Sequence, residues 1–241
     1  MAYAVAPVND QVHVLARWDE TWNSYNNCYL VSGQGRLVLI DCGKADHASE
    51  LVAALAELGL RPADITVLLA THGHRDHIGA WALFTQAEMY LHPADRALLG
   101  DEAQTRFGQA LPDDGGVLDF DCIHLGHHTP GSVALFHRET GTLFAGDHLC
   151  FFGKQLPAGG LVSPAPELRE LSRQFVSGWA LHPENRSAHR FEEFRRGLDL
   201  LARFPGRSFC TGHGGVLTGM VPEFLRELVA LDSDANGGES G

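Results

Sequence analysis

The sequence predicts an α/β fold in which short buried strands alternate with helices. Segments 65–70 and 133–137 are short and apolar, and the first is rich in β-branched residues, as buried strands are. Segments 46–58 and 190–204 instead carry their apolar residues at helical spacing. Two predicted strands are followed by a glycine and then by an aspartate or a histidine. These patterns indicate a sheet protein whose polar side chains collect at strand ends.

The size and charge of the chain limit its organisation and its partners. Its 241 residues and 44% hydrophobic content are enough for one sizeable core. We therefore expect a single domain over residues 1–234 and a disordered tail over 235–241. The formal net charge of -12 argues against nucleic acid or an acidic membrane surface as a partner.

Cysteine usage and the N-terminal segment predict a cytoplasmic protein. The five cysteines are odd in number and scattered, without a Cys-x-x-Cys pair, so we expect buried free thiols in a reducing compartment. Residues 1–7 lack the basic and apolar regions of a secretory signal. No apolar run reaches the roughly 18 residues that a membrane-spanning helix needs.

In the first half of the chain, apolar segments predict strands separated by turns and one longer helix. The glycines within 32–35 suit a tight hairpin turn between two strands, and a loop rich in tryptophan and asparagine precedes that hairpin. The helix over 46–58 stops at Gly59. The predicted strands are 12–16, 28–31, 36–40, 65–70 and 88–92, and shorter helices are predicted at 81–84 and 93–99.

The second half alternates strands and helices in the same way. Segment 100–116 is polar and rich in glycine and aspartate, which predicts a loop or a loosely packed insert. Segment 151–166 is rich in glycine, proline and apolar residues, which predicts a long loop at the wall of a pocket. Either segment could act as a lid. The predicted strands are 121–125, 133–137, 142–145 and 208–211, and the helices are 166–175, 190–204 and 222–231.

The segment after the strand at 65–70 concentrates metal-binding side chains. His72, His74, Asp76 and His77 lie within six positions of one another. At the end of a buried strand these groups need hydrogen-bond partners or a ligand, because burying them without partners is costly. Imidazole nitrogens and carboxylate oxygens are good zinc ligands. A solvated polar loop explains a single His-x-His pair, but a metal site explains His-x-His-x-Asp-His better.

Three later positions repeat this arrangement of a strand, a glycine and a potential ligand. His128, Asp147 and His213 each follow an apolar strand and have a glycine nearby. Singly, each has an ordinary structural explanation, such as capping a turn. Together with the four residues of the first segment, they provide enough ligands for two metal ions: two sets of three, with Asp147 able to bridge the sets. The sets are His72, His74 and His128, and Asp76, His77 and His213.

One further aspartate, Asp41, ends the strand over 36–40. It suits two roles equally well. It could cap the following helix, or it could orient a metal ligand by accepting a hydrogen bond from it.

These motifs, in this order, resemble the metallo-β-lactamase-fold hydrolase superfamily over most of the chain. The matching segments are His-x-His-x-Asp-His, His-Thr-Pro-Gly-Ser, Gly-Asp, Gly-His-Gly and Leu39-Ile40-Asp41-Cys42-Gly43. The resemblance implies a four-layer αβ/βα sandwich, with two mixed sheets face to face, helices outside and the metals at one edge. It implies two zinc ions in the sets given above, or iron or manganese as in some branches. Gly126-His127 replaces the family's usual Pro-Gly before the third ligand, but the following Thr-Pro-Gly-Ser favours His128 over His127.

The resemblance and the ligand sets predict hydrolysis of an ester-like bond. Two metal ions can lower the pKa of a shared water and polarise a substrate carbonyl. Asp76 then has two possible roles, as a ligand of the second site and as the catalytic acceptor that orients the nucleophile. The expected partner is a small-molecule substrate, and the sequence makes no prediction of oligomeric state.

Within the superfamily, the chain is most similar to a short form of glyoxalase II that acts on a small thioester or ester. Only 28 residues follow His213, so we expect no C-terminal helical domain of the long-form enzymes. A lactonase is the main alternative, although lactonases often have a tyrosine soon after the bridging aspartate, where this chain has His148. A one-iron persulfide dioxygenase and a non-enzymatic metal-binding protein also remain. β-Lactam hydrolysis is disfavoured, because Asp147 stands where the cysteine-ligand enzymes have their cysteine.

Aromatic and basic side chains near these motifs are candidates for the substrate pocket. For any one aromatic residue, ordinary packing is the more common role. The candidates are Trp18, Trp22, Tyr25, His148, Phe151, Phe152, Lys154 and Trp179.

Overall fold

The structure, a computed structural model, describes residues 2–153, 156 and 159–236. Within them, the strands form two mixed seven-stranded sheets, which confirms the α/β prediction. The first sheet has the order β1-β2-β3-β4-β5-β6-β7, antiparallel up to β4 and parallel from there to β7. Its strands are β1 Ala4–Pro7, β2 Val12–Asp19, β3 Ser24–Gly33, β4 Arg36–Ile40, β5 Val67–Leu69, β6 Glu88–Leu91 and β7 Gln109–Ala110.

The second sheet has the order β12-β14-β13-β11-β10-β9-β8. The pairs β11–β13 and β12–β14 are parallel, and the other neighbours are antiparallel. Its strands are β8 Asp114–Val117, β9 Phe120–His124, β10 Val133–His137, β11 Thr142–Gly146, β12 Val162–Ser163, β13 Ser208–Thr211 and β14 Val216–Thr218.

Helices cover the outer face of each sheet. Leu51 and Leu55 of the first helix pack with Leu39 and Leu68 on the first sheet. Three helices of the C-terminal half pack in the same way on the second sheet. The helices are α1 Ala48–Glu57, α2 Arg75–Ile78, α3 Asp101–Arg106, α4 Pro166–Leu181, α5 Pro183–Ala188, α6 Phe191–Leu201 and α7 Val221–Asn236, with short 3-10 helices at Ala45–His47, Pro62–Asp64, Trp81–Leu83 and Pro93–Leu98.

A third apolar cluster joins the inner faces of the two sheets. Ile40 and Leu69 of the first sheet pack there with Leu135 and Phe144 of the second. Apolar residues on successive strands thus fill the space between the sheets, as in other sheet-on-sheet packings. The predicted four-layer αβ/βα sandwich is confirmed. No helix among the described residues is long and apolar enough to cross a membrane.

Three segments differ from the sequence-based expectations. Strand β3 begins at Ser24, inside the predicted tryptophan-rich and asparagine-rich loop. Segment 100–116, predicted as a loop or a loosely packed insert, contains α3, the edge strand β7 and most of the edge strand β8, whose exposed residues lack an apolar pattern. Helix α7 extends to Asn236, past the predicted start of the tail, and residues 237–241 lie outside the described residues. The single-domain boundaries stay a prediction.

The candidate functional residues lie at the ends of strands. Strands β4 and β5 are parallel neighbours, so Asp41 and Thr71-His72 leave the first sheet at the same edge. In the second sheet, parallel β11 and β13 bring Asp147 and His213 out together. An isolated bridge between Asn26 and His213 joins the two sheets beside this edge.

Candidate metal centre

The His-x-His-x-Asp-His segment folds into a turn followed by the short helix α2. His72 follows the end of β5, and His74 is the residue before the first helical position. Helix α2 carries Asp76 and His77 on its single turn. His72 and His77 are each 1% exposed, and their rings lie 4.1 Å apart between centroids. The segment therefore presents four potential ligands around one point.

The first group brings together His72, His74 and His128. Their ligand nitrogens all lie within 4.8 Å of one another. Nδ1 of His74 is 3.0 Å from Nε2 of His128, although 54 positions separate them in the chain. The rings of all three pairs are close to perpendicular. Such crossed rings aim their nitrogens at a shared centre, as three ligands of one metal ion do.

The neighbouring residue His127 points elsewhere. Its Nε2 is 2.8 Å from the carbonyl oxygen of His189, to which it donates. Its ring packs against Phe194 of α6. Of the two adjacent histidines, His128 is the one that the structure brings to the centre.

The second group consists of Asp76, His77 and His213. Oδ2 of Asp76 lies 3.7 Å from Nε2 of His77 and 3.4 Å from Nε2 of His213. The three ligand atoms again lie within 4.8 Å of one another. This group joins α2 of the first half of the chain to the end of β13 in the second.

Asp147 lies between the two groups. Its Oδ1 is 3.3 Å from Nε2 of His77, and its Oδ2 is 3.4 Å from Nε2 of both His128 and His213. The same Oδ2 lies 3.9 Å from Nε2 of His72. One carboxylate thus contacts members of both groups, which is the position of a bridging ligand.

Asp41 orients His77. Oδ2 of Asp41 accepts a hydrogen bond from Nδ1 of His77 at 2.8 Å and another from the hydroxyl of Thr71 at 2.8 Å. Its Oδ1 accepts the Thr71 backbone N–H at 2.8 Å. Of the two roles open from the sequence, the structure favours the orienting one, since these bonds occupy the carboxylate. With Nδ1 of His77 held by Asp41, its Nε2 faces Asp147. Burial opposes a charge on His77, but the carboxylates of Asp147 and Asp41 outweigh it and hold the pKa of His77 well above its usual range.

Two other histidines are fixed in the same tautomer. The Thr71 hydroxyl donates to Asp41, so it accepts from Nδ1 of His72, 3.1 Å away. Nδ1 of His213 donates to the carbonyl oxygen of Tyr25 at 3.2 Å. In the neutral form of each ring, Nε2 therefore carries the lone pair and faces the centre.

The buried Nε2 atoms test whether these residues fit a metal ion. Nε2 of His72 and Nε2 of His77 are buried and make no hydrogen bond in the structure. Buried polar atoms in native proteins almost always have a partner. A divalent metal ion held by each group would give each of these nitrogens a partner. The donor set, imidazole and carboxylate, is the set that zinc and iron accept.

The electrostatics of these residues also favour a metal ion at the centre. Burial and the neighbouring His77 hold the pKa of His72 well below its usual range, so the imidazole of His72 is neutral. Burial opposes a charge on His213, but the carboxylates of Asp147 and Asp76 outweigh it and raise its pKa to about 9. Burial likewise opposes the Asp147 charge, yet contacts with His77 and His213 hold the pKa of this carboxyl well below its usual range. The positive charge of the protonated His213 thus stabilises the carboxylates of Asp147 and Asp76, as the positive charge of a metal ion would.

Gly212 allows this close convergence. A Cβ atom at Gly212 would overlap Oδ1 of Asp147 and lie 2.6 Å from Cε1 of His77. Any other residue would push the β13 end away from Asp147 and His77. The glycine of the Gly-His-Gly motif is thus required by the approach of the second sheet to the first.

The structure adds a buried carboxylate that the sequence did not single out. Asp95 is fully buried, and its Oδ2 accepts the backbone N–H of Gly73 at 2.8 Å and the hydroxyl of Thr129 at 2.6 Å. Its Oδ1 accepts the backbone N–H of Gly131 at 2.6 Å. Asp95 therefore ties the loop of His72 and His74 to the loop of His128. Its sequence signal is weak, since it is one acidic residue in a short 3-10 helix.

Most of the predicted pocket residues border the centre. Trp22 and Phe152 are 50% and 56% exposed, and their rings flank His213 at 6.2 and 5.6 Å between centroids. Phe151, His148 and Trp179 line a neighbouring recess. Within that recess, His148 is buried and its Nε2 donates to the carbonyl oxygen of Phe194.

For Trp18 and Tyr25, two of the three remaining predicted pocket residues, the structure shows no place in these recesses. The Tyr25 ring packs edge-on against Trp18, 5.3 Å away between centroids, and onto the core between the sheets. Its contribution to the centre is instead the carbonyl oxygen that accepts from His213. Lys154 lies outside the described residues.

Two facing mixed sheets with histidines and aspartates converging at one edge define a metal-binding α/β sandwich. The chain belongs to the metallo-beta-lactamase superfamily, whose family model matches residues 22–226. Members of this superfamily bind divalent metals through such histidine and aspartate clusters.

Individual relatives agree with this assignment. The chain is 31% identical over 147 residues to the hydroxyacylglutathione hydrolase GloC of Haemophilus influenzae, covering 51% of this chain and 66% of that protein. The fold is similar to that of the flavodiiron protein from Giardia intestinalis, with a TM-score of 0.74, 16% identity, and coverage of 96% of this chain and 60% of that one. A metallo-beta-lactamase family protein from Thermus thermophilus gives a TM-score of 0.64 at 22% identity, covering 95% of this chain and 81% of that one.

The comparisons confirm the predicted superfamily and the predicted class, a metal-dependent hydrolase similar to glyoxalase II. The likeness to the two solved structures concerns the fold alone. The chain spans about two thirds of the Haemophilus hydrolase, so the substrate of this chain is a matter for proposal.

Proposed function

We propose that the protein is a dinuclear-metal hydrolase that cleaves a small thioester or ester. The observation that carries the proposal is the position of Asp147, whose carboxylate contacts His128 of one ligand group and His77 and His213 of the other. A single carboxylate shared by two groups of ligands is suited to two metal ions held side by side.

The proposed ligands are the seven converging side chains. His72, His74 and His128 would hold one ion, and Asp76, His77 and His213 would hold the second, with Asp147 shared. Zinc is the proposed metal, because imidazole and carboxylate ligands suit it. Iron and manganese accept similar donors and are the alternatives.

The bound ions would lower the pKa of a shared water toward neutrality and polarise the substrate carbonyl. The protein supplies orientation. The side chain of Asp76 is 13% exposed and borders a recess that Asp147 and His213 also line, where its carboxylate can accept a hydrogen bond from the attacking water. Asp41 and Thr71 hold the rings of His77 and His72 by their Nδ1 atoms, so the ligand nitrogens need no reorganisation.

The thioester substrate class rests on the relatives. The Haemophilus protein that matches half of this chain is named a hydroxyacylglutathione hydrolase. The same proposal has the enzyme working in the cytoplasm, because all five cysteines are free thiols, as a reducing compartment maintains them.

A substrate screen on the metal-loaded protein tests the proposal. We expect hydrolysis of a thioester such as S-lactoylglutathione, measured by thiol release, and its loss in His74→Ala and Asp147→Ala. The control is His182→Ala, which removes an imidazole whose side chain is 60% exposed and paired with Glu184. Faster turnover of acyl-homoserine lactones would make the protein a lactonase. Oxygen consumption on glutathione persulfide, or no reaction with any of these compounds, would contradict the hydrolase assignment.

A further inference from the structure

Three connected recesses meet at the candidate metal centre. The central one, of about 350 Å³, is bordered by Asp76, Asp147 and His213. A second recess, of about 550 Å³, shares His128 and Asp147 with the central one. The third, of about 530 Å³, shares Trp22, Arg75 and Asp76 with the central one and has no lining residue in common with the second. A substrate with its reacting bond at the metals could therefore extend in two directions.

The second recess, here called the apolar recess, is lined mainly by hydrophobic side chains. Helix α4 contributes Leu168, Leu171, Phe175 and Trp179, which face the segment 147–152. Leu171 and Phe175 are 54% and 47% exposed. Large apolar side chains left in water beside a reactive centre indicate a site for an apolar group.

The third recess, here called the cationic recess, contains Arg75. Arg75 is exposed at the start of α2, between His74 and Asp76, and borders the central recess as well. Within the described part of the chain, its guanidinium makes no ion pair or side-chain hydrogen bond. A guanidinium in this state can bind a carboxylate or phosphate in a bidentate manner.

The other charged residues that line the cationic recess are Lys44, Asp46 and Asp76. The Asp76 carboxylate faces His77 and His213. Lys44 forms an ion pair with the buried carboxylate of Asp19. The Asp46 side chain is 79% exposed and lies 4.0 Å from His47. Arg75 is therefore the cation that remains for a ligand, and it stands beside the reacting position.

We propose that the substrate is an amphiphile, with an apolar arm in the apolar recess and an anionic group on Arg75, on either side of the scissile acyl bond. This inference rests on the proposed hydrolase function and specifies its substrate class. Hydrolysis adds water across the acyl C–S or C–O bond: the acyl carbon gains the hydroxyl and becomes a carboxylic acid, and the thiol or alcohol leaves with the proton.

The two arms can be varied independently in synthetic thioesters. One set combines octanoyl or acetyl groups with 3-mercaptopropionate or its neutral amide. A second set places the anion on the acyl side, as octyl or ethyl thioesters of succinate or succinamide. In one of these sets, we expect the compound with both the long chain and the anion to have a kcat/KM at least about tenfold above those lacking either feature.

Two results would overturn the inference in distinguishable ways. Hydrolysis of all members of both sets at rates within twofold of one another would refute the amphiphile alone and leave the hydrolase intact. Absence of hydrolysis in every member would refute the hydrolase and the amphiphile together.

Variants of Arg75 test whether this residue binds the anionic group of the substrate. Arg75→Gln should raise KM for the anionic thioester about tenfold more than for the matched amide, and Arg75→Lys should recover part of the difference. Arg36→Gln, an exposed arginine at the start of β4, is the control of equal charge change. Equal losses on the anionic and neutral compounds would contradict the assignment.

Two measurements separate binding from damage to the metal centre. The metal content of Arg75→Gln should match that of the unmodified protein. Calorimetry with the non-hydrolysable thioether S-octyl-3-mercaptopropionate should show binding weakened about tenfold by Arg75→Gln and by Leu171→Asn, which polarises the apolar recess. Unchanged binding in both variants would refute the placement of the two arms.

Discussion

Nδ1 of His77 lies 2.8 Å from Oδ2 of Asp41, although 36 positions separate the two residues. The bond joins the end of β4 to α2, and the Cys42 backbone N–H donates to the His77 carbonyl oxygen beside it. A proposed metal ligand is thus anchored through its ring and its backbone to the neighbouring strand end.

The first prediction concerns this anchor. Asp41→Asn keeps the side-chain shape but removes the negative charge that stabilises the His77 Nδ1 proton. We expect metal affinity to fall by about 10- to 100-fold, the range found when partners of metal-bound histidines are removed. Competition with a chromogenic chelator measures the affinity. Asp199→Asn, at an exposed ion pair on α6, is the matched control, and equal affinities in the two variants would refute the orienting role.

The second prediction concerns Asp95. Asp95→Ala leaves the buried N–H groups of Gly73 and Gly131 without their acceptor, whereas the Thr129 hydroxyl keeps the Ser132 hydroxyl as a partner at 2.7 Å. Each unsatisfied donor costs about 1–3 kcal/mol, so the loss of unfolding free energy should be about 2 kcal/mol or more. Urea unfolding of the metal-free protein measures it. Asp95→Asn, which retains acceptor oxygen, should be less destabilising, and a change below about 1 kcal/mol in Asp95→Ala would contradict the tie between the ligand loops.

Much of the ligand set could be predicted from the sequence, because its residues are contiguous or follow apolar strands. Composition and spacing predict the strand at 65–70 and the histidine-rich segment at its end. The same holds for Asp147 and His213, since each stands next to a glycine at a strand end. The assignment of these residues as ligands stays a prediction that the convergence supports.

Other parts depend on contacts between distant segments, and no local pattern reveals such contacts. Asp95 is an ordinary acidic residue until β6 places it between two loops. Strands β7 and β8 are short and exposed, so they have no apolar pattern. The free state of Arg75 depends on which carboxylates lie near it, and Tyr25 acts through its backbone, which any residue would provide.

The third prediction concerns pH. The pKa of His213 in the metal-free fold is about 9, above the ordinary value of 6.5, so its proton stabilises the fold fully below about pH 6.5. This contribution is lost as the pH rises through about 9. A metal ion must displace the proton, so metal affinity should rise with pH across this interval.

Chelator competition at pH 6, 7.5 and 9 measures the affinity. Calorimetry in buffers of different ionisation enthalpy should detect proton release on metal binding near pH 7.5. A pH-independent affinity without proton release would contradict the protonated state of the metal-free centre.

The fourth prediction concerns the thiols. Cys28, Cys42, Cys122 and Cys210 are fully buried, and burial raises the pKa of Cys122 to about 12. Since the thiolate is the reactive form, a disulfide reagent at pH 8 should modify at most Cys150, which is partly exposed. The unfolded chain should react at all five cysteines. Two or more reactive thiols in the native protein would contradict the core packing described above.

The most direct test of the central claim is a metal titration of the chelator-treated protein. Zinc is added in steps, and thioester hydrolysis and bound metal per chain are measured in parallel. We expect activity to rise to a plateau at two zinc ions per chain, and Asp147→Asn to lower both the plateau and the stoichiometry. Activity that is independent of metal, or saturation by one iron with consumption of oxygen, would contradict the dinuclear hydrolase.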